Sequence, residues 1–143
     1  MNIRVIKTQL FVALVSFVLL FLFASCQEEE QTTTQNSSVK INIPTLNINF
    51  GSIVWGQSND QTYTFTNDPS SGDKLKGVIR ISGNGFYIVT GGGSYSVLAG
   101  QSRSVKVRFF PDRRGNFTGT LSIEHNAGNK ASPIKVALAG TAQ

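Results

Sequence analysis

The sequence predicts an all-β fold, a single antiparallel two-layer sandwich of about seven strands, and three observations predict it. From residue 39 onward apolar residues recur with period two, Gly, Pro, Asn or Asp interrupt them at short intervals, and no stretch carries a helical period. Each strand is then apolar on one face only, so two sheets must bury those faces against each other.

Taken in order, "LNINFG" sets Leu46, Ile48 and Phe50 opposite Asn47 and Asn49, and "QTYTFTN" sets Tyr63 and Phe65 opposite Thr62, Thr64 and Thr66. "LKGVIRIS" groups Leu75, Ile79 and Ile81, with Lys76 and Arg80 outward. "GFYIVT" and "SYSVL" are weaker strands flanking the glycine turn at 91–93. "SVKVRFF" alternates Val105, Val107 and Phe109 with Ser104, Lys106 and Arg108. "NFTGTLSIE" and "PIKVALAG" close the series, with Phe117, Leu121, Ile123, Ile134, Val136 and Leu138 inward.

The beginning of the chain has a different character. Residues 1–9 carry Arg4 and Lys7 and no acid, and residues 10–23 are apolar except for one serine. As a helix that run reaches only about 20 Å, short of a bilayer core of roughly 30 Å, so residues 1–25 read as a signal peptide rather than a spanning anchor. Ala24 and Ser25 precede Cys26, the one cysteine of the 143 residues. A single cysteine excludes an intramolecular disulfide framework.

Basic start, apolar run, small pair, Cys and polar sequel together resemble the lipobox of bacterial lipoproteins, although Phe23 stands where that family usually has Leu, Val or Ile. The resemblance implies that Cys26 carries the lipid, with a diacylglyceryl thioether and palmitate-type acyl chains, and becomes the first mature residue. Several chains hold a protein on a membrane where one is marginal. Residues 26–38 are polar and low in complexity, the composition of a flexible tether. Glu28, Glu29 and Glu30 are similar to the acidic export signal of some Gram-negative lipoproteins, which implies the outer membrane and its cell-surface face, with the periplasmic face as alternative.

Residues 39–143 form the third segment, and they too carry a resemblance. Phe50, Gly51, Gly56, Asn67, Phe86, Gly100, Val105, Val107, Phe109, Pro111, Gly115, Leu121, Ile123, Leu138 and Gly140 occur in an order similar to Hydin-type and major-sperm-protein-like immunoglobulin sandwiches, including the bacterial repeats called choice-of-anchor D. The resemblance implies one immunoglobulin-like domain. Asn67 is followed by "DPSSGDK" in place of a tight turn, so a longer loop is expected at 69–73. Gly51, Gly56, Gly100 and Gly115 suit turns that need positive φ or close backbone approach.

The residues of catalysis are sparse. His125 is the sole histidine, which leaves no multi-histidine metal site and no convincing triad, and the turn "HNAGNK" reads as a surface loop. Asp60, Asp68, Asp73, Asp112 and Glu124 fall near turns or strand ends, and "TGGGSYS" lacks the Lys-Ser/Thr of a phosphate loop. No enzyme, no cofactor and no nucleic-acid partner are expected.

Past residue 38, eleven Lys or Arg face five Asp or Glu. Lys106, Arg108, Arg113 and Arg114, with Arg103 and Lys135 as further members, make a candidate binding face. Trp55, Phe86, Tyr87 and Tyr95 are either core or a sugar-stacking surface. The expected function is therefore a non-enzymatic, lipid-anchored display or scaffold module, an adhesin or accessory subunit with a protein partner in the envelope. A carbohydrate-binding lipoprotein capturing acidic polysaccharide is the alternative.

Overall fold

The computed structural model describes residues 38–143, and the expectations for residues 1–37, with Cys26 and Glu28 to Glu30, lie outside them. Nine strands follow one another: β1 (Ile41–Asn42), β2 (Asn47–Ile53), β3 (Asn59–Asn67), β4 (Leu75–Ser82), β5 (Phe86–Thr90), β6 (Gly93–Val97), β7 (Ser102–Phe109), β8 (Gly115–His125) and β9 (Ile134–Ala142). They form a sandwich of a four-stranded sheet, ordered β1-β3-β7-β5, on a five-stranded sheet, ordered β2-β9-β8-β4-β6.

The sandwich is the expected one, with two refinements. The two-residue β1 joins the eight stretches that show alternation, and it is too short to show any itself. The pairing of β2 with β9 is parallel, between the first and last long strands. Only β8 and β9 are joined as neighbours within a sheet, since every other connection crosses from one layer to the other.

Residue parity decides what each layer buries. Tyr63, Phe65, Leu75, Ile79, Val105, Val107, Phe109, Phe117, Leu121, Ile123, Ile134, Val136 and Leu138 are all buried in one apolar cluster. Outward residues add cross-strand pairs: the hydroxyls of Thr64 and Ser104, and of Thr66 and Ser102, each lie 2.8 Å apart across β3 and β7. Leu46 departs from its alternation, because β2 begins one residue later and leaves it exposed.

One end of the core is aromatic. Phe109 stacks on Phe86 at 5.0 Å between centroids and meets Phe50 at 5.8 Å and Phe117 at 5.6 Å. Space for these rings comes from glycines on the opposite sheet. A Cβ on Gly140 would lie 2.6 Å from the Phe109 ring, and one on Gly119 would lie 2.8 Å from Phe86.

The other end is polar. Asn67 is wholly buried, and its amide donates to the carbonyls of Asp73 and Val97 at 3.0 Å each, pinning the expected long loop to β6. Beside it, Asp68 accepts from the Ser70 hydroxyl and N–H and from Asn42, which hold its carboxyl down to about 2.

Gly140→Ala is expected to destabilise the chain by about 1–3 kcal/mol through overpacking, and Phe109→Leu in the same chain to return part of that loss. Urea unfolding of both single variants and the double variant measures the coupling; strictly additive losses would contradict the ring-in-notch contact.

Candidate functional site

The strands define two ends, separated by about 25–30 Å at ~3.3 Å per residue. At the first end the described chain begins: Gly128 N–H donates to the Val39 carbonyl at 2.9 Å, and the Asn129 side chain both accepts from Ile41 N–H at 3.0 Å and donates to its carbonyl at 3.1 Å. At the remote end lie residues 54–58, 83–85 and 110–114 and the last residue, Gln143.

The structure separates the cationic residues singled out from the sequence. Lys106 and Arg108 point outward from β7, whereas Arg113 and Arg114 belong to the loop at the remote end, 110–114. Arg108 is not a free charge. Its Nε and terminal nitrogen donate to the two carboxylate oxygens of Asp60 at 2.7 and 2.9 Å, directly across from it on β3. The fork of hydrogen bonds depresses the Asp60 pKa and raises that of Arg108. Lys106 stands between Thr62 and Thr90. Arg103 is turned along the inner parity of β7 and donates twice to the Gly91 carbonyl, while Lys135 lies on β9 of the other sheet.

The aromatic group divides as well. Phe86 and Tyr95 are core, and the Tyr95 hydroxyl crosses Gly77 to donate to the Glu124 carbonyl at 2.9 Å. Burial pushes that phenol up to about 12. Tyr87 and Trp55 are exposed, Tyr87 on the outer face of β5 and Trp55 at the remote end.

That remote end also exposes apolar side chains. Val54, Trp55 and Phe110 expose 67%, 54% and 46% of their surfaces there; the sequence singles out Trp55, but not Val54, and places Phe110 only at the end of a strand. The loops are fixed: Trp55 N–H donates to Gln143 O at 2.9 Å, Gln57 N–H to Val54 O at 3.0 Å, and Phe110 N–H to Gly85 O at 2.7 Å. Gly56, at φ 85°, makes the turn after Trp55. The Arg113 guanidinium lies 5.6 Å over the Phe117 ring and 3.8 Å from Asp112. The available signal was a Trp-Gly pair and a Phe-Pro pair, large apolar residues set against turn residues.

His125 corrects the sequence reading, because it is buried rather than in a surface loop. It ends β8 on the inward parity, and Ala127 N–H donates to its Nδ1 at 3.1 Å. Nε2 therefore carries the hydrogen and faces the Ala131 carbonyl at 3.2 Å. Both ring nitrogens thus serve the 126–133 loop. Glu124 pairs instead with Arg80. Among the described residues no three His, Cys, Asp or Glu side chains come together as a metal site.

No protein-family model matches the chain, and no curated protein matches it. Solved structures do. The chain is similar to the ASH or PapD-like domain 7 of human CEP192, with a TM-score of 0.63 at 14% identity over 79% of this chain and 92% of that one. It is also similar to a protein of unknown function from Porphyromonas gingivalis W83, with a TM-score of 0.58 at 9% identity over 78% and 51%. The VesB protease of Vibrio cholerae matches at a TM-score of 0.51 and 12% identity, over 73% of this chain and only 32% of the protease. At such identities these likenesses establish the fold, an immunoglobulin-like, PapD-like sandwich.

Burial lowers the His125 pKa from its ordinary value near 6.5, against the opposing pull of the Ala131 carbonyl. The unfolded chain then binds the proton more readily, so stability is fully present above about pH 6.5 and falls as pH drops toward the folded-state pKa. Urea midpoints from pH 7.5 to 5 should decline in the wild type and stay flatter in His125→Gln; parallel curves would remove the histidine as the cause.

Proposed function

We propose that the chain is a non-enzymatic, lipid-anchored envelope module that displays a PapD-like sandwich and meets its partner with the end of the sandwich opposite Val39. One observation carries this reading: the N-terminal segment joins the sandwich at Val39, while Trp55, Phe110, Arg113 and Arg114 are presented at the opposite end. A module held at one end is best able to touch something with the other.

Attachment rests on the sequence. Cys26 would take the lipid, residues 26–38 would give reach, and Glu28 to Glu30 would direct the protein to the cell-surface face of the outer membrane. An adhesin or an accessory subunit of a surface complex is the class that fits a small module of this kind, and the fold itself hosts many functions.

A non-catalytic role is supported by how the titratable groups are used. Asp60 is held by Arg108, Asp68 by Ser70 and Asn42, Glu124 by Arg80, and His125 by its own loop. Each is engaged in structure. The acidic-polysaccharide reading ranks second, because the Asp60 carboxylate already occupies the fork of Arg108 that a sugar carboxylate would need.

Cys26→Ala should move the protein from the detergent phase to the aqueous phase on Triton X-114 partition, and unchanged partition would refute lipid attachment. Protease treatment of intact cells should remove the sandwich if it faces outward. A protected protein would assign it to the periplasmic face.

A further inference from the structure

The remote end is more than a generic contact surface, because its residue types and their rigidity select a kind of partner. Val54 and Trp55 sit on the crossover from β2 to β3, and Phe110 on the crossover from β7 to β8. Asn59 and Phe109, which border these two loops, are directly paired, so the loops run side by side from sheet to sheet. The chain holds these apolar side chains out with backbone hydrogen bonds instead of folding them in.

Other exposed apolar residues do not gather in this way. Leu46 and Leu98 lie at the opposite end, beside β2 and β6, which are the two edges of the five-stranded sheet and about 19 Å apart at ~4.8 Å per strand. Tyr87 and Val89 belong to the edge strand β5.

Charge completes the pattern. Arg113 and Arg114 flank the apolar group, and Asp112 is the one acid in the 110–114 loop. The Arg113 guanidinium lies 5.6 Å over the Phe117 ring and no nearer than 3.8 Å to the exposed Asp112 carboxylate, too far for a hydrogen bond, so its donors can still meet an oxyanion. Trp favours the boundary between headgroups and acyl chains, where its amphipathic ring has one wet and one dry side; Phe adds an apolar ring on the dry side, and Arg meets phosphate at the same depth. Val54 points away from a sugar partner, since stacking on pyranose rings uses aromatic faces and gains nothing from a protruding valine.

We propose that the end bearing Val54, Trp55, Phe110, Arg113 and Arg114 docks on an anionic phospholipid surface, the apolar side chains entering the headgroup boundary and the two arginines taking lipid phosphates. This deepens the display reading and rests on it, by naming what the remote end touches. A sandwich anchored at one end and docked at the other would bridge two membrane surfaces or lie down on one.

Trp55 is the sole tryptophan of the chain, so its fluorescence reports this end alone. The full chain is reconstituted with phosphatidylglycerol vesicles and, separately, with phosphatidylcholine vesicles. The lipid on Cys26 carries the protein to both, and any difference in Trp55 belongs to the remote end. Expected is a blue shift, with quenching by lipids brominated near the headgroup, in phosphatidylglycerol and much less in phosphatidylcholine.

Arg113→Gln with Arg114→Gln should lower the docked-to-undocked ratio roughly thirtyfold, at about one unit of ~1 kcal/mol per cation near an anionic surface. Phe110→Ser should reduce the shift while leaving the circular dichroism spectrum unchanged. An unmoved Trp55, or an equal shift in both lipids, overturns the proposal. So does a lipid-free shift that grows with protein concentration, which would mean a second copy, or a shift produced by a soluble acidic polysaccharide alone. Phase partition of Cys26→Ala reads the anchor and the comparison of the two lipids reads the docking, so a failure of anchoring and a failure of docking are read separately.

Discussion

The structure depends on one ring in one notch: Phe109 of β7 lying against Gly140 of β9. A methyl group at Gly140 would collide with the ring, so the glycine is what lets the two sheets approach at this point. Around Phe109 gather Phe50 from β2, Phe86 from β5 and Phe117 from β8, which ties five strands of both layers together. Two loops of the remote end adjoin these residues. Phe110 follows Phe109, residues 83–85 lead into Phe86, and Phe117 carries Arg113 on its face. A close-packed aromatic base is therefore what allows short loops to hold large side chains out in water.

Alternation made the strands and their inward faces legible, because a side chain's layer follows from parity alone. Val105, Val107 and Phe109 needed no knowledge of partners to be assigned inward. Pairing was not legible, since strands adjacent in sequence mostly lie in different layers and nothing local encodes that β2 meets β9. Glycines were legible in turns and misleading in strands. Gly119 and Gly140 look like weak points of β8 and β9, and their purpose appears only when rings from the other sheet are in view.

The candidate surface was harder to read than the fold. Arg108 counts as a cation in any tally, yet its outward direction on β7 sets it opposite Asp60, and that register is invisible in the sequence. Trp55 and Phe86 have similar propensities and opposite fates, because one lies in a crossover and the other begins a strand. His125 shows the same limit, since a histidine beside "NAG" reads as loop until the inward parity of β8 is extended by one more residue.

The brevity of β1 has a mechanical consequence. Tension applied at Val39 falls first on the Gly128 contact, on the bonds of Lys40 to Asp68 and Ser71, on the Asn129 clamp and on two residues paired with β3, a short set of restraints. The next restraints are the Tyr63 hydroxyl on the Thr45 carbonyl and the Ala137 N–H on the Leu46 carbonyl, at 2.7 and 2.8 Å. Peeling up to them would lengthen the N-terminal segment by about 20 Å at ~3.4 Å per residue. The aromatic base and the remote loops would remain folded, so the domain can yield under load at one end without surrendering its grip at the other.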